Sequence, residues 1–223
     1  MPRFSENYSV PERKVETRNK KERIRIKNID LQDIQKRFDE SIADVERLFG
    51  VLAELKEKRV DGSEDILRSQ ILFLDSALDF YIHEITKFGL VQIVDAVPGW
   101  NVTDDFKKFR VSLNFLKRVY QNREDIKVIL KELNASIQYS SFMRFDAIKG
   151  QLMLIGVTDI EGFESFKNVI DDLSCRRNAI AHSSDRDDRG EKQDICEELV
   201  KTYVAKLKDF QQSIQNALAV KGK

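Results

Sequence analysis

Helix breakers are scarce in this chain. Its 223 residues include 3 prolines and 9 glycines, and two of the prolines fall within the first eleven positions. Pro98 is then the one internal proline that must interrupt a helix, because proline lacks the amide hydrogen and clashes with the preceding turn. Cysteine is scarcer still: Cys175 and Cys196 have 20 residues between them and form no CxxC. That spacing excludes a disulfide framework and a cysteine-based zinc site, and two free thiols are the usage expected of a reducing cytoplasm. No apolar run approaches the roughly 18 residues that mark a membrane-spanning helix. The polar opening MPRFSENYSVPERK also lacks the apolar stretch of a secretory leader, so no membrane partner is expected. A charge excess is missing too, with 38 basic against 38 acidic residues and a pI near 6.8. A protein that coats nucleic acid through a global basic field is excluded; a local grip on one or two phosphates is not.

What the chain does contain is helical periodicity. Apolar residues make up 41% of it, enough to fill a core, and they recur at steps of three and four with few β-branched runs, which predicts an all-α fold. Residues 1–27 form a basic arm, with eight basic side chains against two acidic ones between Arg13 and Lys27. A solvated arm and one that touches RNA or a partner both fit that composition. Residues 28–223 make one helical domain. Asp30 is placed to cap a first helix running to about Arg59, with Ile34, Phe38, Ile42, Val45, Leu48 and Leu52 as its stripe. VDGS at 60–63 makes a turn, and Ser63 caps a second helix carrying Leu67, Ile71, Leu74, Leu78, Ile82 and Ile85. Phe73, Ala77 and Phe80 give that helix a second apolar face, so it is expected at the centre, packed on both sides. PGW at 98–100 breaks the chain, after which Thr103 caps a helix to about Asn122 and another covers 124–138. The last two segments run over 160–182 and 191–219, joined by the polar loop SSDRDDRG. The sum is a helical bundle with one or two inserted helices, at about 88–157.

The stretch RRNAIAHSSDRDD, 176–188, is where chemistry concentrates. Arg177 follows Leu173 by four residues and precedes Ile180 by three, so it lies along the apolar stripe of its segment. A guanidinium there is partly desolvated and needs an anion, either a protein carboxylate or a substrate phosphate. Asn178 and His182 are four apart and share a face. Arg177 and His182 are five apart and diverge by about 140° on an ideal helix. They converge only if the helix unwinds near His182 or if a second copy of the chain completes the site. A merely structural reading, in which Arg and His complement a helix C-terminus, fits the spacing as well. Arg176 suits a second phosphate contact or a salt bridge to Asp172. Asp75, Asp79 and His83 form an i, i+4, i+8 ridge on the second helix, either holding Arg177 or His182 or making a local Asp79–His83 pair. The acids Asp185, Asp187 and Asp188 have the spacing of a solvated turn.

RNAIAH at 177–182 resembles the signature of the HEPN superfamily: an Arg, a polar residue, three further positions and a His, at the end of a late helix. RSQILFLDSALDFYIHEI, 68–85, is similar to the second-helix segment of the RiboL-PSP-type HEPN proteins, with its ALDxYxH-like run, and SSFMRFDAIKGQLMLIGV, 140–157, to the segment before their motif helix. The resemblance implies a HEPN-like helical bundle and metal-independent cleavage of RNA by a homodimer with a composite active site. A toxin–antitoxin or antiphage context follows, with an antitoxin or sensor protein as the restraining partner. His182 would exchange a proton with the ribose 2′-hydroxyl or the leaving 5′-oxygen. Arg177 would neutralise charge on the phosphate, Asn178 would fix the ring or the phosphate, and Arg176, Asp79 and His83 would support them. Products would carry 2′,3′-cyclic phosphate and 5′-hydroxyl ends, and no cofactor or metal is expected. The alternative is a non-catalytic HEPN-like module that binds a nucleotide or a partner protein.

Overall fold

Asp30 does cap the first helix: its carboxylate accepts the Gln32 amide at 3.2 Å, the geometry that satisfies an otherwise orphaned N–H of the first turn. From there a computed structural model describes residues 30–94, 97–108, 113, 117, 144–158 and 161–221. The basic arm and the expected helix at 124–138 lie outside these residues. Every regular element among them is helical, as the periodicity predicts, and none is long and apolar enough to cross a membrane.

Helix α1, Leu31–Glu57, and α2, Ser63–Val94, form a long hairpin. Their direction is antiparallel, since Phe38 packs on Tyr81 (ring centroids 5.0 Å apart) while Gln70 donates to the Val45 carbonyl at 2.8 Å. The predicted stripe of α1 is buried apart from Leu48, which is half-buried. α2 continues through position 88 to Val94, so an inserted segment departs only after that. The break falls at Pro98–Gly99, where Gly99 has φ of 84° and a Cβ would collide with the Lys221 carbonyl. Thr103 then caps α3, Asp104–Lys108, accepting the Phe106 amide at 2.9 Å.

After residue 143 the chain returns as α4, Phe145–Leu154, whose first amide donates to Asp171 at 2.9 Å. A 3-10 turn, Glu161–Phe166, leads into α5, Lys167–Ser183, and α6, Glu197–Ala219, closes the bundle. α5 runs antiparallel to α2, as its contacts from Arg68 to Asp185 and from Asp75 to Arg177 require. α6 lies antiparallel to α1, tied by Lys56–Glu197 at one end and Lys208–Glu46 at the other. α2 is central, touching α1, α4, α5 and α6. Among the described residues, however, its second apolar face is not covered as expected. Ala77 is buried, but Phe73 is 54% exposed and Phe80 40% exposed. Helical period assigns residues to a face; it does not supply a neighbour for that face.

Candidate functional site

The site segment occupies the last two turns of α5. Arg177 is half-buried in the α2–α5 seam, its Nε 3.3 Å from Asp75 Oδ2 and its Nη1 donating to Asn178 Oδ1 at 3.0 Å. The stripe position did demand an anion, and that anion is a protein carboxylate. Two polar partners hold the guanidinium, yet 31% of the side chain remains open to solvent, which leaves a face for a further oxygen ligand. Asp75 itself is almost wholly buried, and burial pushes its carboxyl up to about 6. Arg177 opposes that shift and Asp79 adds to it.

Asp79 and His83 continue the ridge one and two turns beyond Asp75. His83 Nε2 lies 3.5 Å from an Asp79 carboxylate oxygen, the local pair that spacing allowed. Because α5 is antiparallel to α2, the chain from Arg177 toward His182 leads the opposite way, toward the start of α2. The ridge is therefore divided: Asp75 meets Arg177, while Asp79 and His83 extend away from the motif's histidine end.

His182 is exposed in the last turn of α5. The helix holds its form through Ser183 and stops at Ser184, which takes a left-handed φ of 53°. Unwinding before the histidine is thus excluded as the route to convergence, and Arg177 and His182 keep the divergence of about 140° that a regular helix imposes.

Arg176 corrects expectation. It neither pairs with Asp172 nor stands free for a phosphate. Its guanidinium turns inward, bonding Asp185 Oδ2 at 2.9 Å, Gln193 Oε1 at 2.7 Å and the Asp194 carbonyl at 2.8 Å. Asp172 instead accepts the Tyr203 hydroxyl, whose phenol is pushed up by burial and by that carboxylate. Asp185 corrects expectation further. It is not a solvated loop acid but has 0% exposure, and the same Oδ2 accepts Arg68 Nε at 2.7 Å. Its backbone is equally committed, the amide to Ala179 and the carbonyl to Gln193. An Asp carboxylate between two arginines ties the loop after α5 to the start of α2. Asp187, by contrast, caps the turn tip, accepting the amides of Arg189 and Glu191 at 2.9 Å each.

A signal for this cluster does exist in the chain. Arg68 is seven residues before Asp75, hence on the same face of α2, and a guanidinium on an inward face requires an acid from elsewhere. Among the described residues no group of three or more His, Cys, Asp and Glu side chains is arranged to hold a metal ion. No family model matches the chain, and no curated protein or solved structure is significantly similar to it.

Proposed function

We propose that the chain is an endoribonuclease of the HEPN type, acting as a homodimer on RNA. The observation that carries this reading is the state of Arg177. It is oriented by Asp75 and Asn178, is part-exposed, and stands five residues before a solvent-facing imidazole. The 2′-oxygen attacks phosphorus as His182 takes its proton; the O2′–P bond forms and the P–O5′ bond breaks. The departing 5′-oxygen receives a proton from the second copy's imidazole, so charge and protons balance without a cofactor. Arg177 offers its open face to the phosphate oxygens, where charge grows in the transition state. Since one straight helix keeps the two groups apart, a single cleft lined by both copies brings the arginine of each toward the histidine of the other. Arg176 is left out of the chemistry, and Asp75 acts by holding Arg177.

One feature favours a second reading, a binding module without catalysis: no side chain among the described residues hydrogen-bonds His182 to fix its ring. Incubation of the full chain with total RNA and EDTA separates the two. The ribonuclease reading expects cleavage with 5′-hydroxyl ends, lost in Arg177→Ala and His182→Ala. Cleavage that persists unchanged in both variants removes it.

A further inference from the structure

Asp75 and Asp185 are both buried acids in contact with α2 and α5, and the fold surrounds them differently. Asp185 lies between two guanidiniums, those of Arg68 and Arg176. Asp75 meets one, through Arg177 Nε at 3.3 Å, and pairs with no other cation among the described residues. Four residues along α2, on the same face, stands a second carboxylate, Asp79, which lies 3.5 Å from His83. Helices α1, α4 and α6 also pack on α2, and none of their described charged residues pairs with Asp75. Arg177 is only partly consumed by this arrangement. Its Nε faces Asp75 and its Nη1 donates to Asn178, while Nη2 has no partner among the described residues. A ligand oxygen at that open end and the Asp75 carboxylate at the other draw on the same cation.

We infer that Asp75 regulates the phosphate site at Arg177, weakening it when ionised and yielding the guanidinium to the ligand when it takes up a proton. A phosphodiester at the open end brings a new negative charge to the far side of one guanidinium from a buried carboxylate. That carboxylate has little water to screen the repulsion, so a proton taken from solvent removes it. With Asp75 neutral, Arg177 is left uncompensated and holds the same phosphodiester more tightly. Burial already pushes the Asp75 carboxyl up to about 6, with Arg177 opposing the shift and Asp79 adding to it. The site therefore tightens as pH falls through about 6 and weakens above it. This regulation rests on the reading of Arg177 as a phosphate ligand, and deepens it by naming the group that sets its affinity.

A 2′-O-methylated uridine dinucleotide tests it on the full chain. Its blocked 2′-oxygen prevents cleavage, and its single phosphodiester keeps one charge across the range in which Asp75 titrates. Imidazoles also change charge in that range, so the titration is made on His182→Ala. Nuclear magnetic resonance shifts of the Arg177 Nε–Hε group and the Asn178 amide read binding at this site alone. Affinity is expected to be on the order of tenfold higher at about pH 5 than at about pH 8, the size of one charge in a half-exposed site. By reciprocity, saturating dinucleotide raises the titration midpoint of the Asp75 carboxyl carbon by about one pH unit, a readout that needs no change at position 75. Asp75→Asn is expected to hold the affinity at its low-pH level throughout, with helical circular dichroism unchanged. Binding that needs Arg177 but is flat with pH, a slope that survives Asp75→Asn, or an unmoved midpoint overturns the regulation and leaves Arg177 as a phosphate ligand. No binding, or binding that Arg177→Ala does not weaken, overturns both. A pH-dependent site on a parent chain that never cleaves unmodified RNA supports the regulation and gives the function to the binding module.

Discussion

Arg176 and Arg177 are neighbours in the chain with the same charge and the same side chain, yet the fold uses them in opposite ways. Arg176 is almost enclosed and bonds Asp185, Gln193 and a backbone carbonyl of the loop that follows α5. Arg177, rotated 100° around the helix, meets a single carboxylate and keeps nearly a third of its surface in water. Burial with several acceptors on both terminal nitrogens makes an arginine part of the architecture. Partial burial with two polar partners and an open side leaves it able to take a ligand. One residue of register separates a fastener from a candidate binding group.

The sharpest way to break that contrast is to remove the shared anion of the architectural half. Asp185→Ala leaves Arg68 and Arg176 buried without their carboxylate, and breaking such a pair costs about 3–5 kcal/mol. The urea midpoint should fall accordingly, and a shift no larger than that of a surface substitution would show that the cluster is not a fastener. Next in size comes the direct comparison. Arg176→Ala removes several charge-assisted hydrogen bonds and should destabilise by about 2–3 kcal/mol. Arg177→Ala should cost less at neutral pH, because Asp75 can take up a proton when its cation leaves. Equal losses would erase the distinction drawn between the two.

Asp75 supplies a pH test of intermediate size. Its carboxyl is raised from 3.8 to about 6 in the fold, so the folded chain holds that proton more tightly than the unfolded one. The contribution to stability is therefore full below about pH 4 and is lost as pH rises through about 6, amounting to roughly 2–3 kcal/mol. Asp75→Asn should abolish this slope, so the stability gap between variant and wild type should change across pH 4–6 and stay constant above pH 7. A gap that is flat over the whole range would mean the carboxyl is not displaced. The smallest effect is expected of His182→Ala. An exposed histidine in a last turn contributes little beyond its interaction with the helix dipole, under about 1 kcal/mol. Loss of cleavage with the melting curve nearly unmoved is the expected result; a large drop in Tm would place the side chain in the fold instead.

How legible all this was depended on how local the cause was. The cap at Asp30, the stripe of α1, the break at Pro98–Gly99 and the cap at Thr103 are each decided within a few residues, and all appear where the chain predicts them. The need of Arg177 for an anion was also legible, since it follows from its place on an apolar stripe, and Asp75 lay on the ridge already singled out. The choice among Asp75, Asp79 and His83 was not, because it depends on how far α5 is slid along α2. Asp185 reads as a solvated loop acid for a related reason. Its partner Arg68 is 117 positions away, and along the chain nothing separates it from Asp187 and Asp188 beside it. Phe73 and Phe80 are exposed where the pattern predicts burial, because periodicity assigns a side without naming what covers it.

The Asp185 turn has one more consequence. Its carboxylate is held from two helices, while its amide is held by Ala179 and its carbonyl by Gln193. The number of residues between Ser183 and Gln193 is consequently what the molecule has fixed, far more than their identity. Exposed positions such as Asp188 and Arg189 can be exchanged for most polar residues at little cost, whereas adding or deleting a single amino acid would drag the anchor out of register.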